Sequence, residues 1–216
     1  DKRNQQRARI VAAATLPWVG KAEEGIAELQ DIRDKTAALL AEYPDDSGVE
    51  QFLGSTNVEL ARATIRLRDE TGKGGDALAY WDEAVRVREA GWARNPDDVR
   101  IYRTLATILY ERGAERRWAE DFDGALEDMQ RAEKIGTDLL ARDADDQGLQ
   151  RLLGGITDEI VKTLAYAGRA QEALTRLPEA RAKSQKEFAA QPDNSGAARE
   201  YAYSLTLYAD IYSNAG

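Results

Sequence analysis

Four stretches of the chain carry large or small apolar residues at constant steps of four, seven and fifteen from a small residue. From Gly25 they are Leu29, Ile32 and Leu40; from Ala77, Trp81, Ala84 and Trp92; from Ala125, Met129, Ala132 and Leu140; from Ala173, Leu177, Ala180 and Phe188. These steps trace one face of an α-helix. Each stretch reaches a turn string nineteen residues after its start: Tyr43-Pro44-Asp45-Asp46, Asn95-Pro96-Asp97-Asp98, Asp143-Ala144-Asp145-Asp146 and Gln191-Pro192-Asp193-Asn194, separated by 52, 48 and 48 residues. Nine residues beyond each Pro or Ala stands a large residue followed by a small one, Leu53-Gly54, Leu105-Ala106, Leu153-Gly154 and Tyr201-Ala202. A small residue at that place lets two helices approach closely. The stripe Leu149, Leu153, Ile156, Ile160 and Leu164 marks the leading helix of a pair as amphipathic too.

The pattern predicts nine helices: an opening one over about residues 2–17, four trailing helices, three leading helices between them, and a final one over 196–214. Repeats fall at about 1–48, 49–98, 99–146 and 147–194, with 195–216 as a final leading or capping helix. Proline ends the first, second and fourth trailing helices, with Ala144 in its place after the third, and the Asp, Asn or Ser residues that follow are placed to accept from the free N–H groups of the next helix. Ser47 with Glu50 reads as a capping box. Within repeats the helices are parted by Gly72 to Gly75, by Glu120-Asp121-Phe122-Asp123 and by Gly168-Arg169. Pro178 falls inside a trailing helix and predicts a kink or a shifted start there.

This arrangement resembles the tetratricopeptide repeat, in which the leading helix carries Leu-Gly and the trailing helix carries Ala, an aromatic residue, Ala and then Pro. The turn strings match as well. Glu120-Asp121-Phe122-Asp123-Gly124-Ala125-Leu126 and Gly168-Arg169-Ala170-Gln171-Glu172-Ala173-Leu174 resemble the family's Gly-Asp-Tyr-Asp-Glu-Ala-Leu. The 48-residue unit is longer than the family's roughly 34 residues by about two helical turns in each helix, an addition that keeps the same face inward. Repeats of this length are also similar to arrays attached to bacterial signalling proteins, among them serine/threonine kinases. The resemblance implies an all-α, right-handed superhelical solenoid of antiparallel helix pairs, a scaffold or sensor module that binds a protein segment or peptide on its concave face. The other reading is a structural module that dimerises, its groove idle.

Composition narrows the chemistry. The 216 residues hold 39 acidic and 30 basic side chains, a net charge of −9 that repels nucleic acid and anionic membrane. With neither His nor Cys, the chain lacks the usual general base, the thiolate nucleophile and the commonest transition-metal ligands, so no enzyme, cofactor or metal is expected. No apolar run reaches the roughly eighteen residues of a membrane span. A cysteine-free chain suits an oxidising or a reducing compartment, with the cytoplasm marginally favoured. Beginning at Asp1, it is expected to be part of a longer protein.

In the resembled family, the residue two before the Leu points into the groove, and here those residues are Gln51, Arg103, Arg151 and Arg199. Three arginines at 48-residue spacing in an acidic chain would grip carboxylate or phosphate groups of an acidic partner through planar bidentate donors. Thr107, Tyr110 and Tyr203 share the groove register. The competing reading pairs each arginine with a glutamate of the neighbouring leading helix, since Glu59, Glu111 and Glu159 also recur at one place. Trp18, Trp118 and Tyr166 recur thirteen residues after the Leu position and are expected to pack at the helix feet. Asp45-Asp46 and Asp97-Asp98 read as caps rather than a calcium loop, and Thr71 to Gly75 as a flexible turn rather than a phosphate loop.

Overall fold

The computed structural model describes the backbone of residues 2–73 and 75–215, and the side chains of residues 7–213 apart from 74, 183, 184, 187, 200 and 203. The helices run α1 (Lys2–Thr15), α2 (Ala22–Glu42), α3 (Ser47–Thr71), α4 (Ala77–Arg94), α5 (Val99–Trp118), α6 (Phe122–Leu140), α7 (Gln147–Tyr166), α8 (Ala170–Ala190) and α9 (Ser195–Ala215), with a 3-10 turn at Leu16–Val19. Strands are absent among the described residues. Two compact units divide the chain, Asp1–Ile108 and Leu109–Gly216. In the first, α1 packs on α2 and α3, α2 on α3 and α3 on α4; in the second, α6 packs on α7, α7 on α8 and α8 on α9.

Spacing and burial agree position by position. The residues four and seven steps along each trailing helix are all buried: Leu29 and Ile32, Trp81 and Ala84, Met129 and Ala132, Leu177 and Ala180. Those at step fifteen, Leu40, Trp92, Leu140 and Phe188, are half-buried. Trp92 stacks on Tyr102 with ring centroids 5.1 Å apart, and Phe188 on Tyr201 at 5.3 Å, so these residues close the ends of their helix pairs. On the leading helices Leu53 and Leu105 are buried, whereas Leu153 is only half-buried. Of the small residues paired with them, Gly54 and Ala106 are buried, Gly154 is half-buried and Ala202 is exposed.

The turns repeat as faithfully as the faces. Asp46, Asp98, Asp146 and Asn194 cap α3, α5, α7 and α9, each side chain accepting from the backbone N–H groups two and three residues on at 2.8–3.4 Å. Asp46 therefore displaces the expected capping box: Ser47 is already helical, and Glu50 is buried against Arg94 instead of reaching back. Helix α8 runs through Pro178 without interruption, the proline facing solvent.

A left-handed residue ends each leading helix or turn at Gly20 (φ 77°), Gly72 (67°), Glu120 (63°) and Gly168 (72°). Glu120 alone among these pays the Cβ clash of that conformation. Glu120→Gly is expected to stabilise the second unit by about 1 kcal/mol, the relief of strain exceeding the entropy glycine adds to the unfolded chain. The check is the urea midpoint, which should rise at unchanged slope; a fall would show that Glu120 rests unstrained.

Gly25 has a steric reason to stand where the other repeats have Ala77, Ala125 and Ala173. A Cβ there would lie 2.8 Å from the Ala13 carbonyl oxygen, because α1 crosses α2 at that point. In the second unit a charged pair enters the core. Arg112 and Asp128, both buried, meet through two bonds, Nε to Oδ2 at 2.7 Å and Nη2 to Oδ1 at 2.5 Å, with Arg116 Nη1 3.3 Å from the same carboxylate.

Candidate functional site

Side chains from three helices of the first unit converge on a cavity of about 320 Å³. Helix α3 supplies Ser55, Glu59 and Arg62, α4 supplies Arg88, and the first half of α5 supplies Arg103, Thr104 and Thr107. Two of the groove residues expected from the sequence, Arg103 and Thr107, thus share one cavity, and both are half-buried. The hydroxyls of Ser55, Thr104 and Thr107 donate to backbone carbonyls one turn back, at 2.9, 2.8 and 3.3 Å. Glu59 is held by Arg62 at 3.0 Å.

Arg88 is the residue that sequence reasoning missed. It stands on a trailing helix, yet it is 9% exposed, and its Nε is sealed against Gly54 with no acceptor. Its Nη2 donates to Ser55 Oγ at 3.1 Å and to the Gln51 carbonyl at 3.4 Å, both neutral acceptors. Among the described residues no carboxylate pairs with it. Burial pushes its pKa below the usual arginine range, and Glu50, which acts against that shift, is itself paired with Arg94. Arg88 also lines a second cavity of about 210 Å³ on the side of Gly91 and Arg94. Gln51 is the one groove position of the 48-residue register without an arginine, and the guanidinium of Arg88 lies on that residue's backbone. A signal was present in the sequence: the equivalent trailing positions hold Thr36, Gly136 and Ser184, so Arg88 belongs to one repeat only.

In the second unit, Arg151 and Arg199 are exposed near the starts of α7 and α9. Tyr110 is half-buried beside Gly155, where an added Cβ would come 3.4 Å from its hydroxyl oxygen. Burial raises its phenol pKa, and the negative charge of Glu159 adds to the rise. The side chain of Tyr203 lies outside the described residues. Glu159 is held by Arg117 at 3.0 Å and Lys162 at 2.8 Å.

The recurring aromatics do not pack away as expected: Trp18 is 72% exposed, and Trp118 and Tyr166 are each 60% exposed. Arginines cover two of them from a neighbouring helix, Arg66 at 4.2 Å from the Trp18 ring centre and Arg117 at 5.6 Å from that of Tyr166. A cation over one ring face leaves the rest of the ring in water, which is why recurrence at one structural place did not bring burial.

The helices and their repeated faces, caps and turns define an all-α helical-repeat protein. No protein-family model matches the chain, and no curated protein matches it in sequence. Among solved structures, a de novo designed helical repeat protein aligns over 98% of this chain and 98% of that one, at 13% identity and a TM-score of 0.28, a likeness that leaves the fold to rest on the helices themselves. Among the described residues no helix is long and apolar enough to cross a membrane, and no group of three or more acidic side chains gathers as a metal site.

Proposed function

We propose that the chain is an extended array of tetratricopeptide-like repeats over residues 1–216, a scaffold whose leading helices bind an acidic segment of another protein. The observation that carries this reading is the first-unit cavity, lined by Arg62, Arg88 and Arg103 in a chain of net charge −9, with the buried Arg88 bonded there to neutral acceptors. Local basicity against an acidic background orients an acidic partner and rejects others. Arg103 and Thr107 form the seat in the first unit. Arg151 and Arg199 form that of the second, with Tyr110 and Tyr203 as aromatic contacts. Binding rather than catalysis suits a chain with no His and no Cys.

The test is fluorescence anisotropy with a labelled pool of Glu/Asp-rich peptides. Binding is expected to weaken with salt, and the variant Arg103→Ala/Arg151→Ala/Arg199→Ala is expected to bind at least about tenfold more weakly, the loss of roughly one charge-assisted contact or more. Equal affinities, with the circular dichroism unchanged, would show the arginines to be only solvated features of the scaffold. The exposed Trp18, Trp118 and Tyr166 favour a second reading, self-association, which sedimentation of the pure chain decides.

A further inference from the structure

We infer that the cavity between α3, α4 and the start of α5 takes the carboxylate of a single glutamate side chain from a partner segment, and that Arg88 binds it through Nη1. The inference rests on the acidic-partner reading and names the side chain that this one seat recognises.

The hydrogen bonds of Arg88 leave one nitrogen uncommitted. Nε is sealed against Gly54, where a Cβ would stand 3.2 Å from it, and has no acceptor. Nη2 directs its two protons to Ser55 Oγ at 3.1 Å and the Gln51 carbonyl at 3.4 Å. Among the described residues nothing accepts from Nη1, and unlike Nε it is not sealed from water. A guanidinium nine-tenths withdrawn from water and bonded only to neutral groups is unfavourably placed for a charge, and one anionic oxygen at Nη1 would meet that charge. The other arginines of the cavity are engaged. Arg62 holds Glu59 at 3.0 Å, and both Arg62 and Arg103 have further partners within the protein.

Arg88 lines two cavities, and their walls differ. In the smaller, of about 210 Å³, Glu50 is buried and near enough for its charge to act on Arg88, so a second carboxylate would meet it there. The larger, of about 320 Å³, carries Glu59, drawn aside by Arg62, and has apolar walls at Val58 of α3 and Ile108 of α5. An acid that reaches a withdrawn guanidinium between such walls needs methylenes ahead of its carboxylate, and glutamate has two where aspartate has one. The position of Arg88 is also not inherited from the repeat, since Thr36, Gly136 and Ser184 occupy the same place elsewhere. A purely structural charge would have its partner inside the fold, as Arg112 has Asp128.

The experiment uses the whole chain and four short peptides at matched ionic strength: acetyl-Ala-Ala-Glu-Ala-Ala-amide, the same peptide with Gln or with Asp at its centre, and an all-alanine peptide ending in a free carboxylate. Affinity is measured by NMR titration, and the Arg88 Nε–H resonance is assigned by its loss in Arg88→Met. The Glu peptide should bind at least about tenfold more tightly than the Gln peptide, as a charge-assisted contact allows. It should also bind more tightly than the Asp and free-terminus peptides, and it should shift the Arg88 signal. Arg88→Met should lower the Glu-peptide affinity at least about tenfold and abolish the preference over Gln. Arg86→Met, which removes the same charge from the exposed face of the same helix, should leave both unchanged.

Should Arg88→Met fail to fold, Arg88→Lys takes its place, since its ammonium stops one bond short of Nη1 and the preference for Glu over Gln should again fall. Equal binding of the Glu and Gln peptides, or none, overturns the carboxylate site. The response of the acidic peptide pool to Arg103→Ala/Arg151→Ala/Arg199→Ala then decides separately whether the acidic-partner reading stands without it. Binding of the Asp or free-terminus peptide at least as tight as that of the Glu peptide overturns a glutamate side chain as the source. An unmoved Arg88 signal at saturating Glu peptide, or an undiminished preference for Glu in folded Arg88→Met, overturns Arg88 as the residue that binds it.

Discussion

Asp128→Ala is expected to destabilise the second unit by about 3–5 kcal/mol, because it removes the carboxylate that two arginines share inside the protein. Asp128 is 1% exposed and Arg112 is buried with it, so water cannot replace the lost partner. The size of the effect reflects the loss of a buried carboxylate that Arg112 and Arg116 share rather than the net worth of the pair. For that reason the double variant Arg112→Leu/Asp128→Leu should lie within about 1 kcal/mol of wild type or above it, since exchanging a buried ion pair for apolar packing is often neutral or stabilising. The repeats support that outcome: the places equivalent to Arg112 hold Leu60 and Ile160, both buried. Urea denaturation followed by circular dichroism checks both. A double variant as unstable as Asp128→Ala would mean that the surroundings of the pair are shaped for charge and cannot be filled by leucine.

Trp81→Ala is expected to cost about 3–5 kcal/mol in the first unit, as truncation of a buried aromatic leaves a cavity the helices only partly close. Trp81 is 1% exposed and stands at the step occupied by Leu29, Met129 and Leu177 in the other repeats. Its indole N–H is buried with no acceptor. Trp81→Phe should therefore cost much less than the alanine change, under about 2 kcal/mol, since the smaller ring loses packing but also removes an unsatisfied donor. The comparison of the two urea midpoints decides it. A phenylalanine variant as damaged as the alanine one would show that the size of the indole, and not apolar filling in general, holds α4 in place.

The inward faces were legible in the sequence because burial in a helix follows a local period. Steps of four and seven from Gly25, Ala77, Ala125 and Ala173 needed only the 3.6-residue turn, and all eight side chains they mark are buried. Caps were legible for the same reason: a carboxylate just before a helix reaches N–H groups two and three residues away, as Asp46, Asp98 and Asp146 do. The capping role assigned to Glu50 failed because its competitor, Arg94, arrives from another helix, 44 residues further along the chain.

What tertiary structure alone decided is the fate of charged and aromatic side chains whose neighbours come from elsewhere in the chain. Arg88 and Arg112 read as solvent-facing residues in any hydropathy pattern, yet Gly54 opens a place for the one and Asp128 draws in the other. Trp18 and Tyr166, expected to pack at the helix feet, stand largely in water under Arg66 and Arg117. Gly25 stands where the other repeats carry alanine because α1 places the Ala13 carbonyl against it. Periodicity is a property of one helix and is written in its own residues. Compensation of a buried charge, shelter of a ring and close approach of two backbones are properties of a meeting between helices, set by which side chains the packing brings within a few ångströms of each other.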